Sequence, residues 1–418
     1  MDALTRRRFL IASGVAGGGA LAAGAGVLGL AELLKLATRD DSGDHRKRNK
    51  LVLVTLYGGN DGLNTVIPYA DSAYYSARPE LAYAPESVLR LDDALGLNPR
   101  LPGFKRLWDA KRLAVVLGVG YPRPDRSHFR SMDIWQTGSP LTPVHTGWIG
   151  RWLDGTKAPP ESAVSFEPVL PPLLAGESRS GACVSIGGLT LPDGISTEMV
   201  AALGRPEQDE PLAQARAATS YADMLQVERL VRQAGPAEGT ADDADHLELP
   251  ATGTGGAVSL AAQLSLVARC VEAGVPTQVY SVSLGGFDTH AQERVGHESL
   301  LKQLDQALTG FVDRMTTTET GRRVTVVVYS EFGRRVRANA SDGTDHGTAG
   351  PVLVMGSRVA GGMYGEQPSL GDLDDGDLKA TMDFRQLYGT LVESVLRADP
   401  ARYIDGYQGV RLPIFPDD

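Results

Sequence analysis

The fold is decided by a short stretch near the start of the chain, which reads Leu51-Val52-Leu53-Val54-Thr55-Leu56-Tyr57-Gly58-Gly59. Its first six residues are apolar or β-branched and lack the alternation of polar residues that marks a half-exposed strand. A run of this length that stops at two glycines is typical of a strand buried on both faces. Such strands belong to parallel sheets, so the stretch predicts a parallel sheet at the centre of the protein.

Other strands and helices alternate along the rest of the chain. Apolar runs at residues 114–119, 278–284, 324–329 and 352–355 predict four more strands. Apolar residues at helical spacing predict helices at 258–273, 297–315 and 383–396, the last with Asp383 as its N-cap. Strands that alternate with helices favour a doubly wound α/β sheet, with helices on both faces.

The middle of the chain differs from this pattern. Residues 158–256 contain proline-rich pieces and a polar segment, and they predict an insertion that covers the sheet. We therefore expect one α/β domain over residues 51–418 that carries this insertion.

The first forty residues are typical of an export signal. Arg6-Arg7-Arg8 precede Phe9-Leu10, and residues 9–31 carry no charge. This pattern predicts a twin-arginine signal over residues 1–40, followed by a charged linker at 41–50. The expected partner is the twin-arginine export machinery, and the expected location is periplasmic or extracellular. If the signal is not cleaved, it would also serve as a membrane anchor.

Composition excludes several classes of protein. The 418 residues include 41 basic and 51 acidic side chains, for a net charge of −10. This balance disfavours a nucleic-acid-binding protein, which needs a positive surface. Two cysteines, Cys183 and Cys270, are too few for a disulfide framework or a cysteine-rich zinc site, and we expect buried thiols.

Acidic and histidine side chains follow several of the predicted strands. The residues concerned are Asp61, Asp288, His290 and Glu331, with Asp345 and His346 in the loop before the last strand. Ligands bind beyond the carboxyl ends of strands in open parallel sheets, so these side chains are expected to meet at one edge. Four carboxylates cannot all be ionised in a small space without a cation. The pattern predicts one or two divalent metal ions, with Zn, Mn, Fe or Mg favoured over Ca.

Several of these motifs together resemble a known bacterial family, domain of unknown function 1501. They include Gly58-Gly59-Asn60-Asp61-Gly62, Arg126-Ser127-His128-Phe129, Phe287-Asp288-Thr289-His290, Ser330-Glu331-Phe332-Gly333-Arg334 and Thr344-Asp345-His346-Gly347. The family is similar in fold to the alkaline phosphatase and sulfatase superfamily. The resemblance implies an alkaline-phosphatase-like α/β fold, a two-metal site and transfer or hydrolysis of phosphate or sulfate esters.

The resemblance also implies roles for individual residues. Asp61 and Glu331 correspond to acids of the second metal, and Phe332 stands where that site has a histidine. Asp288, His290 and His346 correspond to ligands of the first metal, with Asp345 beside them as ligand or supporting residue. Ser127 corresponds to the nucleophile at a helix N-terminus. Alternatively, His128 is a ligand and no covalent intermediate forms, or Ser127 is only a helix cap.

These inferences give one expected function and two alternatives. The expected function is an exported, metal-dependent hydrolase of phosphate or sulfate esters, in which Arg126 and Arg334 hold the small anionic substrate. The first alternative is a non-catalytic, metal-stabilised binding or assembly protein of the cell envelope. An exported oxidoreductase is disfavoured because no Gly-x-Gly-x-x-Gly motif follows the first strand. His45, His246 and His297 are expected to be exposed and receive no role.

Overall fold

The structure, a computed structural model, describes residues 26–27, 33–34, 36, 44–167, 169–184 and 259–416. The strands in this part of the chain are β1 (Gly26–Val27), β2 (Lys50–Leu56), β3 (Val66–Ile67), β4 (Leu89–Arg90), β5 (Gly96–Leu97), β6 (Leu113–Gly120), β7 (Ala163–Ser165), β8 (Ala182–Cys183), β9 (Val279–Leu284), β10 (Val324–Ser330), β11 (Arg334–Ala338), β12 (Thr344–His346), β13 (Gly350–Gly356), β14 (Gly362–Tyr364), β15 (Leu373–Asp374), β16 (Asp377–Leu378) and β17 (Met382–Asp383). The α-helices are α1 (Asp44–Lys47), α2 (Gly62–Thr65), α3 (Ser72–Ala77), α4 (Pro102–Asp109), α5 (His128–Thr137), α6 (Trp148–Thr156), α7 (Leu260–Ala273), α8 (Glu293–Thr316) and α9 (Phe384–Ser394).

Ten of these strands form one central sheet, in the order β1-β8-β7-β9-β2-β10-β13-β6-β14, with β17 also paired to β6. Strand β2 lies between β9 and β10 and is parallel to both. Strand β13 is antiparallel to both of its neighbours, β10 and β6. The other pairings are parallel. The predicted α/β fold with a mostly parallel sheet is confirmed.

Helices cover both faces of the sheet, as predicted. On β2, Val52 and Val54 point into a cluster with α4, α7 and α8, whereas Leu51 and Leu53 point into a cluster with α5, α6 and α9. All four side chains are at most 1% exposed. Each buried side chain of this size contributes roughly 1.5–3 kcal/mol to folding. This two-sided burial explains why the strand sequence is apolar without alternation.

The long predicted elements are present in the structure. All five predicted strands occur, with ends that shift by one or two residues at most (β2, β6, β9, β10 and β13). Asp383 caps α9, and its side chain accepts a hydrogen bond from the amide of Arg385. Helix α8 begins four residues earlier than predicted, at Glu293. Cys183 and Cys270 are free and buried, as expected.

The segments outside the long elements differ from the predictions. Strands β7 and β8 lie within residues 158–256, so the described part of the predicted insertion adds two strands to the sheet, while its Leu173 and Leu174 pack in the cluster with α5 and α6. Strands of three and two residues are too short to leave a pattern in the sequence. Residues 185–256 of that insertion lie outside the described residues, as does most of the predicted signal. Lys50, assigned to the linker, is the buried first residue of β2. Among the described residues, no helix is long and apolar enough to cross a membrane.

Candidate metal centre

Three histidines and one aspartate meet at the edge where β2, β9 and β10 end. Asp288 Oδ1 lies 3.0 Å from His290 Nε2, 3.1 Å from His346 Nε2 and 3.4 Å from His128 Nε2. Ligand atoms of His128, Asp288 and His346 all lie within 4.8 Å of one another, and His290 Nε2 is 2.9 Å from His346 Nε2. The four side chains are 23–49% exposed, so the centre is open to solvent.

In each histidine, Nε2 faces Asp288, and the other ring nitrogen, Nδ1, faces an oxygen on the outer side of the centre. His128 Nδ1 is 2.9 Å from Glu331 Oε1, and His346 Nδ1 is 2.8 Å from the carbonyl oxygen of Arg126. His290 Nδ1 is 3.5 Å from Asp345 Oδ1. These oxygens can accept hydrogen bonds from the Nδ1 atoms, and in that tautomer the Nε2 atoms are free to bind a cation. Histidines that bind metals have this arrangement in most proteins.

Glu331 and Gly58 hold His128 in place. Glu331 is 1% exposed, and its Oε1 also accepts a hydrogen bond from the amide of Gly58 at 2.8 Å. Gly58 has φ +115°, and a Cβ there would lie 2.4 Å from the amide nitrogen of Asp288. Only glycine permits this conformation and this close approach. The Gly58-Gly59 pair therefore brings the end of β2 against the loop that carries Asp288.

Arg334 fixes the position of Asp288 from behind. Its side chain is fully buried, and Nη2 donates to Asp288 Oδ1 at 2.8 Å. Other donors of Arg334 bind the carbonyl oxygens of Gly59 at 2.6 Å and Thr344 at 2.9 Å. The predicted role of Arg334 in holding a substrate anion does not fit this placement, because its donors are engaged and shielded from solvent.

The charges around the centre shift the pKa values of its residues. Burial raises the pKa of Asp288, but hydrogen bonds from Arg334 and His346 outweigh it and lower the value to about 2. The hydrogen bond with Glu331 raises the pKa of His128. Burial lowers the pKa of His346, which keeps its ring neutral near neutral pH. An ionised carboxylate beside neutral imidazole nitrogens is the state that binds a metal.

Asp61 lies apart from these four residues in a second, fully buried cluster. Its Oδ2 forms an ion pair with Arg78 Nη1 at 2.6 Å, and neither side chain is exposed. Glu293 is the neighbouring buried acid: Asp61 Oδ1 and Glu293 Oε1 have no other hydrogen-bond partner among the described residues, and Glu293 Oε2 accepts from Thr344 Oγ1 at 2.5 Å. Asp61 is thus neutralised by Arg78 rather than placed beside the three histidines. No local pattern in the sequence marks Arg78 or Glu293 as its partners.

The buried acid pair, Asp61 and Glu293, shares one negative charge. Burial and the neighbouring Asp61 carboxylate raise the pKa of Glu293 to about 9. Burial alone would raise the pKa of Asp61, yet Arg78 and Glu293 lower it. Glu293 is therefore protonated at neutral pH and donates to the ionised Asp61. His297 lies in the same region, 1% exposed, with Nε2 2.9 Å from Asn60 Oδ1, contrary to the expectation that it is exposed.

The remaining predicted site residues lie around the first turn of α5. Ser127 is the N-cap residue, its hydroxyl makes no capping hydrogen bond, and it precedes His128. The Arg126 guanidinium binds Asp377 and Asp375, so it is engaged in ion pairs instead of facing a free anion site. The predicted ligands Glu331 and Asp345 lie behind His128 and His290, where they orient the rings. Whether these residues bind metal or substrate stays a prediction.

The donor set has a clear chemical preference. Three imidazole nitrogens and one carboxylate oxygen suit Zn or Fe better than Mg, which prefers oxygen ligands in octahedral geometry. Phe332 packs against the centre, with its ring centroid 4.9 Å from that of His128 and 4.8 Å from that of His346. It supplies no ligand and forms an apolar wall beside the centre.

Comparison with solved structures finds chains of low sequence identity. A protein of the alkaline phosphatase superfamily from Vibrio parahaemolyticus is 10% identical, with a TM-score of 0.34 over 83% of this chain and 66% of that chain. Murine ectonucleotide pyrophosphatase/phosphodiesterase 5 is 10% identical, with a TM-score of 0.36 over 84% and 96%. The PsFucS1 sulfatase from Pseudoalteromonas sp. is 11% identical, with a TM-score of 0.40 over 90% and 74%. The chain thus spans just under two thirds of the first of these.

Sequence comparison places the chain in a family. A search among curated proteins finds no match. The family model described as "Protein of unknown function (DUF1501)" matches residues 119–414, which include the Arg126-Ser127-His128-Phe129 segment and the loops that carry Asp288, Glu331 and His346. The chain belongs to the DUF1501 family.

Proposed function

We propose that the protein is a metal-dependent hydrolase of phosphate or sulfate esters. The observation that carries the proposal is the set of three Nε2 atoms around Asp288 Oδ1, each on a histidine whose Nδ1 faces an oxygen. His290 Nε2 and His346 Nε2 lie 2.9 Å apart, and both are within 3.1 Å of Asp288 Oδ1, so in the tautomer with both Nε2 atoms unprotonated their lone pairs would repel each other. A divalent cation removes that repulsion.

We propose one ion for each chain rather than two. His128, His290, His346 and Asp288 supply four ligands, which is a complete set for tetrahedral coordination and leaves room for a fifth. The acid expected to bind a second ion, Asp61, is already paired with Arg78 inside the protein. The resemblance implies a second metal near Asp61. The positive guanidinium groups of Arg78 and Arg334 lie in that part of the protein and would repel a second cation.

The residues of the centre have distinct roles in the proposed reaction. A bound divalent cation polarises a phosphate or sulfate oxygen and offsets its negative charge. Helix α5, ten residues long, directs its positive N-terminal end to the same place. In this proposal Ser127, whose hydroxyl is not used for capping, loses its proton and attacks phosphorus or sulfur, the alcohol leaves with a proton, and water then hydrolyses the seryl ester. Glu331, Asp345 and Arg334 keep the ligands oriented throughout.

Metal content and turnover test this proposal separately. Protein purified without added metal is analysed for its elements, stripped with a chelator and titrated with Zn²⁺ by calorimetry. We expect one ion per chain and at least a 100-fold loss of affinity in His346→Ala and Asp288→Asn. His145→Ala removes an exposed histidine outside the centre and serves as the matched control. Zn²⁺ binding that is unchanged in both ligand variants would refute the site.

The second candidate function is the non-catalytic, metal-stabilised binding protein. The observation that favours it is that Arg126 and Arg334, the predicted anion-binding residues, are both held in internal ion pairs. Turnover of 4-nitrophenyl phosphate and 4-nitrophenyl sulfate by the Zn²⁺-loaded protein separates the two functions. Turnover that is lost in Asp288→Asn and reduced in Ser127→Ala supports the hydrolase. Full metal occupancy without turnover on a broad panel of esters supports the alternative.

We also propose that the protein acts outside the cytoplasm after export by the twin-arginine machinery. Support comes from the Arg6-Arg7-Arg8-Phe9-Leu10 segment and the uncharged stretch behind it. This route carries folded proteins, which suits a protein that takes up its metal before export. The test is cell fractionation of the wild type and of a variant with Arg6, Arg7 and Arg8 replaced by lysine. Equal amounts outside the cytoplasm would refute the route.

A further inference from the structure

A cavity of about 490 Å³ lies beside the candidate metal centre. One wall is the loop from Gly120 to Arg126, which joins β6 to the start of α5, and the other is the segment from Asp374 to Asp383 before α9. Phe332 and Ala349 close the inner end. A volume of this size accommodates a small organic molecule or one part of a larger substrate.

The cavity and the metal centre share two structural parts. The Phe332 ring that lines the cavity also packs against the rings of His128 and His346. Arg126, in the cavity wall, accepts a hydrogen bond from His346 Nδ1 through its carbonyl oxygen. A substrate whose anionic group lies at the metal centre therefore has its remaining part next to this cavity.

The charges of the lining disfavour an anion or a hydrocarbon. Five aspartates face three cationic side chains, and the lining residues concerned are Asp125, Asp374, Asp375, Asp377, Asp383, Arg123, Arg126 and Lys379. A second anionic group would meet an excess of carboxylates. A hydrocarbon would remove the carboxylate of Asp375, 80% exposed, from water and would offer it no hydrogen bond beyond those from Arg126 and Arg335.

The arrangement of the polar groups fits a neutral molecule with several hydroxyl groups. Arg126 donates from Nε and Nη2 to Asp377 and Asp375, and within the described residues its Nη1 makes no hydrogen bond. An exposed carboxylate oxygen of Asp375 thus lies beside an unused guanidinium donor. Of two adjacent hydroxyls of a sugar, one can donate to the Asp375 carboxylate and the other can accept from the Arg126 guanidinium. Pro122 and Pro124 are exposed in the same wall and provide apolar surface for the C–H groups.

A cationic ligand fits less well, although carboxylates are in excess. The two aspartates nearest to Arg126 are already paired with it, and Asp383 is paired with Arg385. The partly exposed Arg126 guanidinium would repel an ammonium group in the same space. Together these observations select a neutral polyol over both kinds of ion.

We propose that this cavity binds a sugar or polyol, which makes the substrate a sugar ester of phosphate or sulfate. The inference rests on the proposed function for its link to the metal centre. The binding of the sugar itself does not depend on catalysis, so it can be measured in the metal-stripped protein.

The test is ligand-observed NMR with methyl glycosides of glucose, galactose and mannose, N-acetylglucosamine and myo-inositol, with choline and inorganic phosphate as charged probes. We expect at least one neutral probe to bind with a Kd in the millimolar range. Ala380→Trp fills the cavity, Asp375→Asn removes the carboxylate charge, and each is expected to weaken binding at least fivefold. Ala401→Trp, the same change at an exposed position outside the cavity, should leave the Kd unchanged.

Three results would overturn the inference: no binding by any neutral probe, binding of choline or phosphate alone, or equal binding by the wild type and both cavity variants. The proposed function fails in a different way. If sugars bind but no ester is hydrolysed, the cavity assignment stands and the hydrolase does not. If 4-nitrophenyl esters are hydrolysed but no sugar binds, the hydrolase stands and the sugar cavity does not.

Discussion

Replacing Glu293 by glutamine should make the protein more stable at neutral pH. Glu293 is fully buried, its Oε2 accepts a hydrogen bond from Thr344, and its other oxygen faces Asp61. In the folded state it must hold a proton, since burial and the Asp61 carboxylate raise its pKa to about 9. A glutamine amide reproduces both contacts, because its NH₂ group donates to Asp61 and its oxygen accepts from Thr344. Glutamine needs no proton from solution.

The size of the effect follows from the proton that folding takes up. An unfolded glutamate has a pKa of about 4.3. Between that pH and about 9 the folded wild type binds one more proton than the unfolded chain, so its free energy of unfolding falls by about 1.4 kcal/mol per pH unit. The stabilising contribution of Glu293 is thus complete below about pH 4.3 and is lost as the pH rises towards 9.

Urea unfolding of the wild type and Glu293→Gln at pH 5, 6, 7 and 8 measures this difference. Titrations that both proteins share cancel in the comparison. We expect the free energy of unfolding of the variant, relative to that of the wild type, to rise by about 3 kcal/mol from pH 5 to pH 7. A stability difference that does not change with pH would show that Glu293 is ionised in the folded protein, and the reasoning would fail.

A matched control lies five residues further along the same helix. Burial raises the pKa of Glu298, but hydrogen bonds from Arg100 and Tyr83 outweigh it and lower the value. Its stabilising contribution is therefore present above the unfolded pKa of about 4.3 and is lost as the pH falls through the folded value. Glu298→Gln should destabilise the protein at pH 7 and have less effect near pH 4, the opposite dependence to Glu293→Gln.

Three further predictions concern the metal centre and the core. Glu331→Ala leaves all four proposed ligands in place but removes the acceptor behind His128, so Zn²⁺ affinity measured by calorimetry should fall about 10- to 100-fold, and an unchanged affinity would contradict the orienting role. Gly58→Ala should lower the free energy of unfolding by at least about 1 kcal/mol, because φ is +115° and a Cβ would clash with Asp288, whereas Gly310→Ala at an exposed position of α8 should raise it by roughly 0.5–1 kcal/mol. Burial raises the pKa of both Cys183 and Cys270 to about 12, so neither thiol should react with iodoacetamide at pH 8 until the protein is unfolded, and rapid labelling of the native protein would show that the core is open.

The sequence was sufficient to predict the long elements and the residues that meet at the sheet edge. Strand β2 is apolar on both faces because both faces are buried. Its sequence alone therefore indicates a strand in the interior of the sheet. The acidic and histidine residues after β2, β9 and β10 were found because they follow apolar runs directly. Both signals are local, and each spans fewer than ten residues.

The partners of these residues could not be predicted in the same way. Arg78 follows a short polar helix and has no local feature that distinguishes it from an exposed arginine, yet it forms a fully buried ion pair with Asp61. Arg334 was expected to hold the substrate anion, but its guanidinium is surrounded by carbonyl oxygens from the loop after β2, the loop after β9, and β12. Both outcomes depend on distant segments that come together only in the folded protein. The pairing of Asp61, expected as a metal ligand, with Arg78 could not be predicted for the same reason.

The direction of strand β13 decides whether the residues of the candidate metal centre can meet. Parallel strands bring their carboxyl ends to one edge, which accounts for Asp288 and Glu331 but not for His346, which precedes a strand. Because β13 is antiparallel to β10 and β6, its first residue lies at the edge where β10 ends. A parallel β13 of seven residues would carry the preceding loop about 23 Å away, to the opposite edge. The hairpin of β11 and β12, in which Arg334 pairs with His346, remains at the first edge and joins Glu331 to His346 within sixteen residues. One reversed strand thus lets a single short segment supply both a ligand and the acid that orients another ligand.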